Sequence, residues 1–340
     1  MINGEKEIWK GKNILITGIN GFIGGNLAKA LVNRGSNVFG IVRNSKPASF
    51  LEYANLVPKV TLIQGDLCDK NLFEQVISEE QIEYIFHLAA QVEVGIAITN
   101  PYLTFETNVR GTYTLLEAAR RFPDKIKSII VASSDKAYGS YPKEKMPYKE
   151  DYPLLPQFPY DTSKAAADLI AQSYASDLYN LPIVVTRFSN IYGPGQLNFS
   201  AVIPDAITSA QGYSTFEPRG NGTQIRDFIF SEDVIGLYLT IAKHLENDKS
   251  IYGQIYNAGT NTPISIKTLL EKIYIKLNNS EDLETVVRAM RGRKTSGEID
   301  TQYMNFEKVN QHFGWQPTTD LDKGLAKTIE WFAGFNSNRF

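Results

Sequence analysis

Tyr160 and Lys164 stand four residues apart, a spacing and a pair of residue types that suggest chemistry. Side chains at this spacing share one face of a helix. A cation beside a tyrosine favours the phenolate and lowers the pKa of the phenol from about 10. Such a phenol could take a hydroxyl proton near neutral pH while a hydride leaves the carbon. Ser133 and Ser134 lie upstream as polar companions of the pair.

A glycine-rich turn near the N-terminus predicts a site for a dinucleotide. Its residues are Gly18, Gly21, Phe22, Ile23 and Gly24. Glycines permit the tight turn and let backbone N–H groups reach a pyrophosphate at the positive end of a helix. The spacing is GxxGxxG rather than GxGxxG, and a plain tight turn is the alternative interpretation.

The end of the second predicted strand bears on the choice of cofactor. An acid at this point commonly binds the adenosine ribose of NAD, but the segment ends in Val42, Arg43 and Asn44. A guanidinium can instead bind the 2′-phosphate of NADP, so Arg43 favours NADP slightly over NAD. Asp66 follows the third strand and could accept a hydrogen bond from the adenine amino group or cap the next helix.

Short apolar runs alternate with helical patterns through the first half of the chain. The predicted strands are Asn13–Thr17, Asn37–Val42, Val60–Ile63, Tyr84–His87, Ile126–Ser133 and Ile183–Arg187. The predicted helices between them are Phe22–Asn33, Lys70–Glu79, Tyr102–Phe122 and Ser163–Tyr179. Continuous apolar strands alternating with helices predict an α/β fold, a doubly wound parallel sheet covered on both faces.

The rhythm changes after about residue 188, where turn signals become frequent. We therefore expect a dinucleotide-binding domain over residues 1–188. Residues 189–340 are expected to form mostly a smaller, interleaved substrate-binding lobe, with some segments returning to the first domain. A final helix is predicted over Leu321–Phe332.

Composition excludes several classes of protein. Lys and Arg number 35 against 37 Asp and Glu, so no basic excess is present to neutralise phosphates, and a nucleic-acid partner is not expected. A single cysteine and three scattered histidines argue against a metal site. No apolar run approaches the roughly 18–20 residues of a membrane span. A cytoplasmic protein with no membrane partner is expected.

Motifs along nearly the whole chain resemble one family. They are Thr17-Gly18-x-x-Gly21-Phe22-Ile23-Gly24, Gly65-Asp66-Leu67, His87-Leu88-Ala89-Ala90, Tyr160-x-x-x-Lys164, Arg187-x-x-Asn190-Ile191-Tyr192-Gly193-Pro194-Gly195 and Arg226-Asp227-Phe228. On these motifs the chain is similar to extended short-chain dehydrogenases/reductases of the nucleotide-sugar epimerase and dehydratase family. The resemblance implies a Rossmann fold, a bound NAD or NADP and a nucleotide-diphosphohexose substrate.

The resemblance also implies roles for individual positions. Ser134, Tyr160 and Lys164 would form the catalytic triad. The expected cofactor-binding residues are Gly18, Gly21, Phe22, Ile23, Gly24, Arg43, Asp66, Leu67, Leu88, Ala89, Ala90, Asn108, Tyr160 and Lys164. The expected substrate-binding residues are Glu93, Ser134, Asn190 and Arg226. An Arg226–Asp227 surface ion pair is the alternative at that position, and His87 is expected to be a hydrogen-bonded strand-end residue rather than a catalyst.

Asp135 and Lys136 directly follow Ser134 and resemble the Asp-Lys pair of CDP-glucose 4,6-dehydratases, where dTDP-glucose enzymes have Asp-Glu. Oxidation of the hexose at C4 acidifies the C5 proton. Asp135 would be the acid that helps the C6 hydroxyl leave, and Lys136 would be the base at C5. A free lysine, with a pKa near 10.4, needs burial or a neighbouring positive charge to act as a base. A solvent-exposed Asp-Lys turn is the alternative.

The resemblance therefore predicts a nucleotide-sugar 4,6-dehydratase. A 4-epimerase is the alternative, and a dinucleotide-sensing binding protein is a third possibility. The second half of the chain is written in the general epimerase style, which leaves CDP, GDP, UDP and dTDP open. The family also implies a homodimer, or a tetramer built from dimers, through the helices Tyr102–Phe122 and Ser163–Tyr179.

Overall fold

The computed structural model describes residues 7–44, 49–293 and 299–336. The start of the expected first domain, before residue 7, and the end of the expected second domain, after residue 336, therefore lie outside the described residues. The strands are β1 Asn13–Thr17, β2 Asn37–Val42, β3 Thr61–Gln64, β4 Tyr84–His87, β5 Ser128–Ala132, β6 Ile183–Phe188, β7 Asn190–Tyr192, β8 Ile225–Arg226, β9 Phe228–Phe230, β10 Ile255–Ala258 and β11 Ile264–Ser265.

Helices of very different length lie between these strands and after the last of them. They are α1 Phe22–Val32, α2 Phe50–Tyr53, α3 Lys70–Glu79, α4 Val94–Thr99, α5 Pro101–Phe105, α6 Gly111–Arg120, α7 Pro159–Ala175, α8 Val202–Ala210, α9 Ser231–Leu245, α10 Ile266–Lys276, α11 Ser280–Met290, α12 Glu307–Phe313 and α13 Leu321–Asn336.

The main sheet grows outward from β1 in both directions. Among the described residues its order is β10-β6-β5-β4-β1-β2-β3, and the pairs from β6 through β3 are parallel. The chain builds β2 and β3 on one side of β1 and then returns to add β4, β5 and β6 on the other. This reversal places a topological switch point between β1 and β4, where ligands bind to open α/β sheets.

Side chains of the sheet alternate between two faces, and helices cover both. Leu15 of β1 and Ile85 of β4 belong to one apolar core with residues of α3, α6 and α7. The neighbouring Phe86 points the other way, as period-2 geometry requires, and its ring meets Tyr238 of α9 with centroids 6.1 Å apart. The predicted doubly wound parallel sheet is confirmed.

The chain divides into two compact units whose sequences interleave. The first contains residues 1–137, 156–187 and 235–256, and the second contains residues 138–155, 188–234 and 257–340. The second unit has small sheets of its own, a parallel pair β7–β9 and an antiparallel pair β8–β11. Its apolar core joins Tyr192, Phe230 and Leu269 with residues of α8 and α13.

Two helices differ from the prediction in ways that matter for the site. The expected helix Tyr102–Phe122 is interrupted: α5 and α6 are joined by a π-helical turn at Glu106–Arg110. Asn108 lies in the middle of this turn, and its side chain accepts from the Gln91 N–H and donates to Ser163 Oγ. The expected helix Ser163–Tyr179 instead starts at Pro159 and ends at Ala175. Proline at a first helical position supplies a pre-set φ and lacks only an N–H that would have no intrahelical partner.

Candidate active site

The glycine turn after β1 is built by a close approach of two backbones. Gly18 has a φ of +74°, and a Cβ added there would lie 2.8 Å from the backbone nitrogen of Ala89. The Gly21 N–H donates to the Gly18 carbonyl at 2.9 Å, and Gly21, the N-cap of α1, provides no side-chain cap. The first N–H groups of a helix have no intrahelical partner, so those of α1 are suited to an anionic group. These features fit a dinucleotide pyrophosphate.

The segment after β4 meets this turn at the switch point. Leu88 donates its N–H to the Thr17 carbonyl at 3.3 Å, and Ala89 donates its N–H to the Thr17 Oγ1 at 3.2 Å. Leu88, Ala89 and Ala90 are all half-buried. The two alanines present only methyl groups beside the glycine turn, which is compatible with a flat or extended ligand there.

The remaining residues expected at the cofactor lie at different depths. Arg43 and Asp66 are exposed, whereas Leu67 is buried in the core of the first unit. The Asp66 carboxylate accepts from the Cys68 N–H at 2.8 Å. The alternative that Asp66 caps a helix is wrong, because Asp69 is the N-cap of α3. Asp69 lies one residue before the helix, close enough to reach its first N–H groups.

Tyr160 is buried in the first turn of α7, with 8% of its surface exposed. Burial raises the pKa of its phenol well above the ordinary value, the Asp135 carboxylate raises it further, and the hydrogen bond between this phenol and Ser134 lowers it. The expectation of a Tyr160 pKa below about 10 is therefore wrong, because burial outweighs any stabilisation of the phenolate by Lys164. Spacing on a helix fixes a shared face but not where the ammonium points.

Lys164 is also buried, and its ammonium donates to the Ala132 carbonyl at 2.6 Å. Burial lowers the pKa of this amine to about 8, and the Asp168 carboxylate acts in the opposite direction. Asp168 itself is buried and accepts two hydrogen bonds from the Arg187 guanidinium, at 2.8 and 3.1 Å. The lysine is thus fixed between the end of β5 and its own helix.

Ser134, Asp135 and Lys136 form a connected group directly after β5. The Ser134 hydroxyl donates to Asp135 Oδ1 at 3.1 Å and accepts from the Lys136 N–H at 3.2 Å. A short 3₁₀ helix at Asp135–Tyr138 follows. Asp135 is buried and Lys136 is half-buried, so the solvent-exposed Asp-Lys turn is wrong.

Asp161 is a residue of the site that the sequence did not single out. It is buried beside Tyr160 with 5% of its surface exposed. Burial raises the pKa of its carboxyl to about 6, Lys136 lowers it and Asp135 raises it. These electrostatic effects bring Asp161 into the group formed by Ser134, Asp135, Lys136 and Tyr160. Its position inside the Tyr-x-x-x-Lys motif was the signal that could have identified it.

The residues expected at the substrate do not all belong to the first unit. Glu93 does, and it is exposed at the N-cap of α4. Asn190 and Arg226 belong to the second unit. The Asn190 amide donates to the Asp227 carbonyl at 3.2 Å, and the buried Arg226 donates to the carbonyls of Ile225 and Asp300 at 2.8 and 3.3 Å. A surface Arg226–Asp227 ion pair is wrong, because both residues are buried and Asp227 bonds to Thr260.

Two other kinds of feature are absent from the described ranges. In residues 7–44, 49–293 and 299–336, no group of three or more His, Cys, Asp or Glu side chains could hold a metal ion. Across the same ranges, no helix has the length and apolar character needed to cross a membrane.

Comparison with known proteins places this geometry among sugar-nucleotide enzymes. Residues 15–328 match the family model described as GDP-mannose 4,6 dehydratase. The dTDP-D-glucose 4,6-dehydratase of Homo sapiens is 34% identical over 330 residues, covering 94% of this chain and 90% of the relative. The dTDP-glucose 4,6-dehydratase of Bacillus anthracis, solved in complex with NAD, has a TM-score of 0.80 and 28% identity, covering 96% and 98% of the two chains. The enzyme of the same name from Streptomyces venezuelae, also solved with NAD, has a TM-score of 0.83 and 25% identity, with 96% and 98% covered.

Replacing Asp161 by asparagine tests the buried carboxyl. The folded-state pKa is raised from 3.8 to about 6, so the folded protein binds this proton more tightly than the unfolded chain does. Wild-type stability therefore falls as pH rises from about 4 to about 6, and an asparagine has no such loss. We expect Asp161→Asn to gain about 1–3 kcal/mol in the free energy of unfolding between pH 4 and pH 7, relative to the wild type.

Urea denaturation at several pH values measures this difference. Asp124→Asn is the matched control, since Asp124 is exposed in the same unit. A difference between Asp161→Asn and the wild type that stays constant from pH 4 to pH 7 would contradict the prediction.

Proposed function

This chain belongs to the family whose model is described as GDP-mannose 4,6 dehydratase, and we propose that it dehydrates a nucleotide-diphosphohexose to the 4-keto-6-deoxy sugar. It is an enzyme of the nucleotide-sugar 4,6-dehydratase type, as its relatives are named. The proposed reaction is supported mainly by one observation: a single hydroxyl, that of Ser134, contacts both the group proposed for oxidation and the group proposed for elimination. Ser134 bonds to Asp135 and also lowers the pKa of Tyr160.

Tyr160 is the proposed base in the oxidation at C4. As the phenolate it takes the proton of the C4 hydroxyl. A bound nicotinamide would supply the acceptor for the hydride that leaves C4 and is later returned to C6. The Ser134 hydroxyl has one hydrogen and two acceptors, Asp135 Oδ1 and the phenol oxygen. In the phenolate form, which is the form that can take the C4 proton, the Ser134 hydrogen can donate to the negative oxygen and stabilise it. The burial that raises the tyrosine pKa also excludes water from this oxygen.

Lys164 supplies positive charge to the same step. Its ammonium lies on the Ala132 carbonyl, at the end of the strand that leads to Ser134. With a pKa of about 8, it remains mostly protonated at neutral pH. A cation held there favours the phenolate over the phenol when the hydroxyl proton moves.

Asp135 and Lys136 are the proposed acid and base of the elimination. Once C4 is a ketone, the C5 proton is acidic, and Lys136 takes it. Asp135 gives a proton to the C6 hydroxyl, which leaves as water. Asp135 and Lys136 are consecutive residues of one short helical turn. They could therefore act on the adjacent carbons C6 and C5 of one sugar. General acid–base groups typically contribute about 10²–10⁴-fold each to the rate.

Asn190 and Arg226 are proposed to bind the diphosphate of the substrate. Arg226 holds a guanidinium in a buried position, where its attraction to an anion is screened little by water. Asn190 presents a half-buried side-chain amide on β7, which pairs with β9. Glu93, exposed before α4, is proposed to contact the sugar.

A panel of sugar nucleotides tests the proposed reaction and identifies the nucleotide of the substrate in one experiment. The Asp-Lys pair resembles CDP-glucose enzymes, whereas the relatives described above are named for dTDP-glucose. We expect one of the dTDP-, CDP-, UDP- or GDP-hexoses to lose one water, detected by mass spectrometry. Inversion at C4 without loss of water would show a 4-epimerase instead, and no turnover of any of them would favour a binding protein.

Lys136→Met separates the two proton-transfer steps. Methionine has a similar length but cannot take a proton, so C5 should keep its hydrogen while C4 is still oxidised. With the accepted substrate in deuterated water, the wild type should place deuterium at C5 and the variant should not. Borodeuteride trapping should label C4 of a hexose that keeps its C6 hydroxyl.

Tyr160→Phe is the control for this separation, since it should abolish both the C4 label and the loss of water. Normal dehydration by Lys136→Met would show that Lys136 is a bystander.

The proposed cofactor is a nicotinamide dinucleotide at the switch point of the sheet, with a mild preference for NADP. The glycine turn, the Leu88–Ala90 segment and Asp66 would bind it, and Asn108 would support the site from the π-helical turn. Two features support this preference: β2 ends at Val42 without an acidic residue, and the next residue, Arg43, has an exposed guanidinium. The relatives solved with NAD show which dinucleotide those proteins bind.

Arg43→Ala should weaken binding of NADP more than binding of NAD, because only NADP presents a 2′-phosphate to the guanidinium. A loss of about tenfold for NADP, against less than twofold for NAD, is expected from one exposed charge-assisted contact. Titration calorimetry with each dinucleotide measures both affinities, and Arg34→Ala provides a control cation in the same unit. Equal losses for the two dinucleotides would remove the role of Arg43.

A homodimer is the proposed assembly, formed through α5, α6 and α7. Large apolar side chains are exposed on these three helices: Tyr102 by 74%, Phe105 by 37%, Tyr113 by 42% and Leu169 by 56%. With α5 and α6 joined through the π-helical turn as one helix and α7 as the second, two copies could form a four-helix interface.

Leu169→Glu should convert dimers to monomers, because a carboxylate would be buried without a partner in the interface. Sedimentation velocity measures the change. Ile275→Glu is the control, since Ile275 is 61% exposed in the second unit. An unchanged sedimentation profile for Leu169→Glu would contradict the proposed interface.

A further inference from the structure

His87 lies at the end of β4 with only 3% of its surface exposed, and both of its ring nitrogens are hydrogen-bonded. Nδ1 lies 2.8 Å from Thr17 Oγ1, and Nε2 lies 3.0 Å from Thr112 Oγ1. The expectation of a hydrogen-bonded strand-end residue is confirmed. Burial lowers the pKa of the imidazole to about 3, and the Lys164 charge acts in the same direction, so the ring is neutral at physiological pH.

The neighbours of the ring determine which nitrogen carries the proton. The Thr112 hydroxyl donates its only hydrogen to the Asn108 carbonyl at 2.6 Å, so it can only accept from His87. Nε2 must therefore be the protonated nitrogen, and Nδ1 must accept from the Thr17 hydroxyl. Thr17 Oγ1 in turn accepts the N–H of Ala89.

These bonds form a chain with one direction. It runs from the Ala89 N–H through Thr17, His87 and Thr112 to the Asn108 carbonyl in the π-helical turn. No member can reverse its bond unless its neighbours reverse theirs. The π-helical turn is thereby tied to the segment that closes on Gly18.

The chain reaches the catalytic helix through the other end of Asn108. Its side-chain amide donates to Ser163 Oγ at 2.8 Å, and the Ser163 hydroxyl donates to the Tyr160 carbonyl at 2.7 Å. The Asn108 side chain also makes two hydrogen bonds with the backbone of Gln91. It accepts from the Gln91 N–H at 2.7 Å and donates to the Gln91 carbonyl at 3.1 Å.

We propose that His87, as its Nε2–H tautomer, is a positioning residue that couples the dinucleotide-binding segment at Ala89 to the helix that carries Tyr160. The Nδ1 side holds Thr17 and the Ala89 segment in place. The Nε2 side holds Thr112 and the π-helical turn, which in turn supports Ser163 and the first turn of α7. The catalytic part of this inference rests on the proposed dehydratase reaction, whereas the tautomer and the dinucleotide part do not.

Two conservative variants separate the two sides of the ring. The amide of asparagine reaches about as far as Nδ1, so His87→Asn keeps an acceptor for Thr17 and loses the donor to Thr112. The amide of glutamine reaches about as far as Nε2, so His87→Gln keeps the donor to Thr112 and loses the acceptor for Thr17. A residue that only fills space would give similar effects in both variants.

We expect His87→Gln to weaken dinucleotide binding about tenfold while kcat at saturating dinucleotide changes less than twofold. His87→Asn should keep the affinity within about twofold and lower kcat about tenfold. Titration calorimetry with NAD and NADP, measured without any sugar nucleotide, gives the affinity, so this arm stands even if the proposed reaction fails. His312→Gln and His312→Asn, at an exposed histidine, should change neither quantity.

Nitrogen NMR of histidine-labelled wild-type protein tests the tautomer without any variant. The His87 resonances, assigned by their absence from either variant or from a His87→Phe protein, should show an unprotonated Nδ1 and a protonated Nε2 from pH 5 to pH 9. A protonated Nδ1, or equal losses of affinity and kcat in the two variants, would overturn the proposal.

Discussion

The close approach of Gly18 to Ala89 is the constraint on which the rest of the first unit depends. A side chain at Gly18 would meet the Ala89 backbone at 2.8 Å, so β1 and β4 can end side by side only with glycine at this position. That contact fixes the N-terminus of α1 and the Leu88–Ala90 segment at one edge of the sheet. Thr17 is bonded to the same segment and to the buried His87. The position of the glycine turn therefore also constrains the position of the His87 ring.

Burial governs the chemistry of the ionisable groups more than their pairwise spacing does. It raises the pKa of Tyr160 and of Asp161 and lowers that of Lys164, and each change favours the neutral form. At neutral pH Tyr160 is therefore a neutral phenol, while Lys164 and Asp161 remain mostly charged but hold their charges less favourably than they would in water. Low-dielectric surroundings then make any charge that develops during a reaction interact strongly with the others. A small displacement of the Lys164 ammonium toward Tyr160 would for this reason change the proton affinity of the phenol considerably.

The parallel sheet was predictable because its strands are short apolar runs separated by helical patterns, and the residues of the Tyr-x-x-x-Lys motif could be named from spacing. The π-helical turn was not, since the residue types of Glu106–Arg110 do not distinguish i→i+5 backbone bonds from those of an α-helix. The direction of the Tyr160 pKa was also inaccessible, because spacing does not report burial. Asp69 rather than Asp66 caps α3 for a similar reason: both are near the helix, and only geometry distinguishes them.

The two units carry different parts of the proposed specificity. Every residue proposed to move a proton, from Ser134 to Lys164, belongs to the first unit, whereas Asn190 and Arg226 belong to the second. The second unit supports its site with its own buried polar contacts, such as those of Asp227 with Thr260 and of Arg226 with Asp300. These contacts do not involve the proton-transfer groups, so the residues proposed to bind the diphosphate are held in place by bonds of their own. The sequence resemblances divide in the same way: the Asp-Lys pair of the first unit resembles one class of dehydratase, while the Asn190 and Arg226 segments of the second resemble the epimerases. Evidence on the proposed reaction therefore comes from the first unit, and evidence on the nucleotide comes from the second.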